Sequence, residues 1–184
     1  MVKRTDRLYA VGELPELFVL PKKMHAWTLR TETLGEPISA FREEIVDVPQ
    51  AGKGEVIVAN LCASVNYNGV WAALGKPKNV VAANGNYGDK KEDFHICGSE
   101  ASGIVYDVGE GVTHLKIGDR VTVSAAQFDP NCPIVQAGGD PVNSPSYRIW
   151  GYEANWGGFA QFSKVMAMQC HKIPDGMSDV EASA

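Results

Sequence analysis

The chain has 184 residues, 45% hydrophobic and 21% charged, with a formal net charge of −5, a globular composition with enough apolar mass for one domain with a real core. An acidic balance without a sustained Lys/Arg run argues against nucleic-acid binding, which needs a basic face for the phosphates. The apolar run LFVL at 17–20, with Glu13, Pro15 and Glu16 before it and Pro21, Lys22 and Lys23 after it, is too short and interrupted for a signal peptide or a membrane span.

Residues 1–23 read as an irregular arm. A strand, turn, strand pattern follows: HAWTLR at 25–30, then GEPISAFREEIVDVP at 35–49, punctuated by Pro37 and Pro49. GEVIVANLCASVN at 54–66 is β-rich with apolar residues on both faces, the mark of a buried strand. Residues 75–95, rich in Gly, Asn and Lys, read as a loop, in which Lys90 and Lys91 form a solvated pair. Strands at 103–108 and 119–125 are joined by a glycine-rich turn.

Residues 126–147 carry Pro130, Pro133, Pro141 and Pro145, which predict a long stretch without regular structure; such loops usually carry function. Next comes RIWGYEANWGG at 148–158, where Arg148, Trp150, Tyr152 and Trp156 crowd around Glu153 and Asn155 with neither the helical nor the strand period. FAQFSKVMAM at 159–168 returns to strand composition. Near the end, Ser178 followed by Glu181 is a capping box, read as the start of a linker helix over 177–184.

The cysteines, Cys62, Cys97, Cys132 and Cys170, show no paired spacing. They are expected as reduced thiols, with Cys62 and Cys97 in surroundings that suit burial, and a cytoplasmic address follows. No G-x-G-x-x-G follows a strand and opens a helix; Gly109 and Gly111 sit between two strands, the wrong context for a dinucleotide.

The block GSEASGIVYDVGEGVTHLKIGDRV at 98–121 resembles the signature of the medium-chain dehydrogenases/reductases. SVNYNGVWAALG at 64–75, YGDKKEDFHICGSEASGIV at 87–105 and RIWGYEANWGGFAQF at 148–162 are similar to blocks of the crotonyl-CoA (enoyl-CoA) carboxylase/reductase family. The resemblance implies a mainly β fold with short helices. Residues 24–176 would form the N-terminal portion of a GroES-like, partly open barrel that serves as substrate domain, with the Rossmann domain absent from this chain. The zinc branch of that superfamily has a histidine where Ser99 stands and an early cysteine where Asn66, Tyr67 and Asn68 stand. A metal-free site is therefore expected, neutral Ser and Asn being poor zinc ligands.

The family's reaction is a two-stage one. NADPH reduces an enoyl-CoA to an enolate, and the enolate attacks carbon dioxide to give an alkylmalonyl-CoA. The resemblance implies that Asn68 donates a side-chain hydrogen bond to carbon dioxide, that Tyr152 donates its backbone N–H, and that Glu153 orders a water beside it. It also implies a partner chain or further part with a Rossmann domain that binds the NADPH, assembly into an oligomer, and no membrane partner. The polypeptide alone would be inactive. Two other functions stay open: half of a non-carboxylating enoyl-thioester or quinone reductase, and a non-catalytic binding or assembly module. From the residues alone, Asn68 could bond its own backbone, the aromatics could be core, Ser99 and Glu100 could be turn residues, and Glu153 could pair with Arg148. His95 reads as a satisfied structural histidine, and His25, His114 and His171 have no recognisable partner.

Overall fold

The computed structural model describes residues 2–83 and 91–184. In chain order, the arm carries β1 (Lys3–Thr5) and β2 (Val19–Pro21), and β3 (Lys23–Leu29) follows. The next elements are α1 (Pro37–Ala40), β4 (Arg42–Asp47), β5 (Glu55–Ala63), α2 (Tyr67–Leu74), α3 (Val80–Ala83) and β6 (His95–Ile96). After them come β7 (Ala101–Val108), β8 (Arg120–Val123), β9 (Ala126–Gln127), α4 (Pro133–Gln136) and β10 (Arg148–Ile149). The chain closes with β11 (Phe162–Met166), β12 (Cys170–Lys172) and α5 (Asp179–Ala182).

Two antiparallel sheets dominate, a five-stranded one ordered β11-β5-β7-β8-β12 and a three-stranded one ordered β4-β3-β6. They are stitched together along one side: Trp27 N–H donates to the Phe159 carbonyl at 2.8 Å, Gln161 N–H to His25 at 3.1 Å, and Asn60 N–H to Gln161 at 2.9 Å. Joined in this way, the two sheets make the partly open GroES-like barrel that the motifs imply.

β5 lies between β11 and β7 and is buried on both faces. Ile57 and Ala59 face the core between the sheets with Met24, Ile96, Tyr106 and Phe162. Val56 and Val58 face the opposite core with Val105, Val121 and Trp150. All four β5 residues are fully buried, and each large one contributes about 1.5–3 kcal/mol by leaving water, which is why the run has no polar face. At Gly103 of β7, a Cβ would lie 2.0 Å from the Ala59 carbonyl oxygen, so only glycine lets the two strands meet there.

The structure corrects several expectations. The arm is not wholly irregular: β1 and β2 pair in parallel, and Arg4 donates to the Val48 and Pro49 carbonyls. Residues 35–49 fold a turn of helix, opened by Pro37, before their strand. The 75–95 stretch contains α3 and β6, while 84–90, with Lys90, lie outside the described residues. The proline-rich 126–147 stretch holds β9, α4 and a 3-10 turn at Pro141–Asn143; Pro133 and Pro141 open the two helical turns at their first positions, where the missing N–H costs nothing. Cys97, Cys132 and Cys170 are buried and Cys62 only partly so.

Ser178 and Glu181 form the expected capping box on α5. That helix docks on the five-stranded sheet: Thr122 Oγ1 donates to the Ala182 carbonyl and Ser102 Oγ to that of Asp179, each at 2.6 Å. Among the described residues, no helix is long and apolar enough to cross a membrane.

Candidate functional site

The segment VNYNGVWAALG, read only as a motif, forms α2. Asn66 is its N-cap and accepts from Asn68 N–H at 2.9 Å, and Gly75 closes the helix in the left-handed region, at φ 65°. Because the Asn66 oxygen is spent on the cap, its Nδ2 is the free end, and it donates to Ser99 Oγ at 2.7 Å. Asn68 Nδ2 donates to the same Ser99 oxygen at 3.1 Å. Asn68 thus does not bond its own backbone through its side chain, and Ser99, buried at 1% exposure, is where both amides converge.

The second half of the site is the turn 149–156. Gly151 has φ 72°, and a Cβ on it would lie 2.2 Å from the Gly98 carbonyl oxygen and 2.9 Å from the Ser99 nitrogen. The residue preceding Tyr152 is therefore in direct contact with the Gly98-Ser99 backbone, and Ser99 stands between the Asn68 amide and this turn. Tyr152 lies in a cluster with Ala72, Ala73, Val80 and Cys97, and its hydroxyl donates to the Lys76 carbonyl at 3.2 Å. The N–H groups of Tyr152, Glu153 and Ala154 all reach the Ile149 carbonyl, at 3.1, 2.7 and 3.1 Å.

The aromatics are core, as one reading had them. Trp150, Tyr152 and Trp156 are 1%, 9% and 6% exposed. Trp156 adopts φ 66°, an unfavourable conformation for a bulky side chain. Asn155 holds it there: its Oδ1 accepts from Trp156 and Ile96 N–H at 2.7 and 2.8 Å, and its Nδ2 donates to the Phe94 carbonyl. The Trp150 indole donates to the Trp156 carbonyl at 3.1 Å, and Phe94 meets Trp156 edge to face.

Glu153 does not pair with Arg148, whose guanidinium is turned to the Pro145 and Tyr147 carbonyls. Its partners are Lys78 Nζ at 2.8 Å and Ile149 N–H at 3.1 Å. Partial burial pushes the Glu153 carboxyl up, but the Lys78 bond and the Ile149 N–H outweigh it and hold the group below the usual carboxylate range. Lys78 lies far from Glu153 in sequence, and no local signal points to it. Asn66 was legible as a cap, standing as it does before an eight-residue run that ends in glycine.

His95 is fully buried, and neither ring nitrogen has a hydrogen-bond partner among the described residues. It is not the satisfied histidine expected. Burial lowers its pKa to about 4 against a smaller opposing pull from the Gly151 backbone. His25 and His114 do have partners, Glu43 and the Ala167 carbonyl, each at 3.1 Å.

The donor set does not suit zinc. Asn66, Asn68 and Ser99 are neutral groups already bonded to one another, with neither thiolate nor imidazole among them. Nor do the described residues cradle a dinucleotide: Gly109 and Gly111 lie between β7 and β8, and no strand leads through a glycine turn into a long helix.

Residues 52–175 match the alcohol dehydrogenase GroES-like domain. The chain is 44% identical over 176 residues to a crotonyl-CoA carboxylase/reductase of Cereibacter sphaeroides, covering 96% of this chain and 39% of that one. It is 34% identical to a crotonyl-CoA reductase of Streptomyces avermitilis, over 81% of this chain and 35% of that one. Among solved structures it is similar to the crotonyl-CoA carboxylase/reductase AntE in complex with NADP, with a TM-score of 0.85, 48% identity and coverage of 96% and 43%. It is also similar to the 2-octenoyl-CoA carboxylase reductase CinF from Streptomyces, with a TM-score of 0.82, 30% identity and coverage of 89% and 41%. The chain spans about two fifths of the length of these relatives.

Proposed function

This chain belongs to the GroES-like alcohol dehydrogenase domain family and, within it, to the crotonyl-CoA carboxylase/reductases; on that premise we propose that it is the substrate-domain half of an NADPH-dependent reductive carboxylase. The substrates are an enoyl-CoA and carbon dioxide, the product is an alkylmalonyl-CoA, and a complementary nucleotide-binding part is required. Since the described residues make no dinucleotide cradle, the contribution of this chain is to hold carbon dioxide and to keep water from the carbon that attacks it.

The observation that carries this reading is the meeting at Ser99 of the Asn68 amide and the Gly151-Tyr152 turn. An amide nitrogen has two N–H groups, and one of those on Asn68 is spent on Ser99, which leaves the other for a carbon dioxide oxygen. The backbone N–H of Tyr152 is a second donor. It bonds Ile149, but that carbonyl has two lone pairs for three N–H groups, and the Tyr152 bond, at 3.1 Å against 2.7 Å for Glu153, is one of the two longer ones that a ligand oxygen would replace. Glu153 uses one oxygen for Lys78 and one for Ile149 N–H, and its remaining lone pairs suffice to order a water.

Such donors matter because carbon–carbon bond formation turns a neutral gas oxygen into a carboxylate oxygen. Groups preorganised where charge develops, in a dry site, stabilise that change most. The buried Trp150, Tyr152 and Trp156 supply the dryness.

The test combines this chain with its nucleotide-binding part in stoichiometric amounts and follows NADPH oxidation together with labelled bicarbonate incorporation for a set of enoyl-CoA esters. Carboxylated product is expected. Reduced product without label would identify a non-carboxylating reductase, and tight assembly without NADPH oxidation would identify a non-catalytic module.

A further inference from the structure

We infer that the Ser99 hydroxyl is a third hydrogen-bond donor in this site, directed at the carbon dioxide oxygen that becomes a carboxylate oxygen. The inference rests on the carbon dioxide reading of Asn68 and adds to it a residue that the family signature presents only as a replacement for a metal ligand.

A serine hydroxyl has one O–H to give and two lone pairs to fill. Asn66 Nδ2 fills one at 2.7 Å and Asn68 Nδ2 the other at 3.1 Å. The Asn66 amide is held in this orientation by the cap, because its Oδ1 accepts from Asn68 N–H, and the Asn68 amide turns its Nδ2 to the same serine oxygen. Ser99 is therefore acceptor to both amides, and its own proton must go elsewhere.

Among the described residues the Ser99 hydroxyl donates to no acceptor, and at 1% exposure it is closed off from bulk water. A buried donor left unspent costs about 1–3 kcal/mol, and such groups are rare enough in folded proteins that each calls for a role. With both lone pairs occupied the O–H is also polarised, so its bond to an anionic oxygen is strengthened.

Geometry limits the recipient. Ser99 Oγ lies 3.1 Å from the amide nitrogen assigned to carbon dioxide, and its backbone touches Gly151, which precedes the other assigned donor. A ligand oxygen that meets the free Asn68 N–H is within reach of the Ser99 hydroxyl as well. In the step served, the acyl-CoA α-carbon forms a bond to the carbon of carbon dioxide, one C=O π pair moves onto oxygen, and that oxygen becomes an anion. Ser99 keeps its proton throughout, and its hydrogen bond strengthens as the charge arrives.

The test uses the assembled enzyme with Ser99→Ala, Ser99→Thr and Asn68→Ala. The readouts are the ratio of carboxylated to merely reduced product, the apparent KM for carbon dioxide, and the affinities for an alkylmalonyl-CoA and for the acyl-CoA without the carboxylate. Ser99→Ala is expected to raise the KM and weaken the carboxylated ligand by about tenfold, the size of one hydrogen bond. The plain acyl-CoA should bind as before, and Ser99→Thr, which restores the hydroxyl, should recover much of the loss.

If Ser99→Ala weakens both ligands equally, the serine only braces the helix end and the inference is overturned. If Asn68→Ala abolishes carboxylation while Ser99→Ala stays within about twofold, the inference fails and the carbon dioxide reading stands. If neither substitution moves the product ratio, both fail.

Discussion

The two halves of the candidate pocket differ in how their hydrogen-bonding capacity is distributed. At the start of α2 the acceptor is full and donors are left over: Ser99 Oγ takes two amides, while its own O–H and one Asn68 N–H are unspent among the described residues. In the 149–154 turn donors are again in excess but are shared rather than left over, with three N–H groups on the one Ile149 carbonyl. The first half has donors already free and held by the cap and Ser99 bonds; the second must loosen one of its own bonds to take a ligand. A preorganised donor costs nothing at the moment of reaction, and a shared one does. Most of the carboxylation advantage should therefore belong to the α2 half.

The largest expected effect breaks that half. In the assembled enzyme, Asn68→Ala should lower the ratio of carboxylated to reduced product by about a hundredfold, typical for loss of a preorganised donor; chromatography with mass detection measures it. Gly151→Ala should strike where the halves touch. A Cβ 2.2 Å from the Gly98 oxygen at φ 72° is strained twice over, and a loss of about 3 kcal/mol in urea unfolding is expected.

A pH series sharpens the comparison, because His95 sits beside the Gly151 backbone of the turn half. Its folded pKa, about 4, is below the ordinary value of 6.5, so the unfolded chain binds the extra proton between those values. Stability is then present above pH 6.5 and is lost as pH falls towards 4, by up to about 3 kcal/mol. His95→Leu should flatten that dependence in denaturant titrations, and an unchanged slope would contradict it.

The smallest effect belongs to Lys78→Met. The Lys78–Glu153 pair is partly exposed, at 44% and 22% of the side chains, so its loss should cost less than about 1 kcal/mol of stability. The Glu153 carboxyl should rise towards the ordinary range, moving the acidic limb of the carboxylation profile upward in pH. That limb is the readout, since it reports on the carboxylate rather than on folding.

The strand framework was readable because its cause is local. Val56 to Ala59 are apolar on both faces and lie buried on both, and the two glycine-punctuated runs became β7 and β8. Asn66 and Gly75 bracket α2 with ordinary caps, yet the segment stood out as a motif and its helix went unread. Prolines in 126–147 suggested disorder of form, but a proline that starts a helical turn is as legible as one that forbids it.

By itself the amino-acid order determined the alternation of buried strands and turns, the capping box at Ser178, and the blocks that align this chain with its family. Each depends on neighbours a few residues apart or on short runs of matched residues. Only the tertiary structure decided that Ser99 would accept from both Asn66 and Asn68, that Glu153 would choose Lys78 over nearby Arg148, and that His95 would be fully buried beside the Gly151 backbone. Those outcomes turn on which side chains the two sheets and α2 bring within about 3 Å, the range at which hydrogen bonds act; periodicity says which face a residue takes, but not what it meets there.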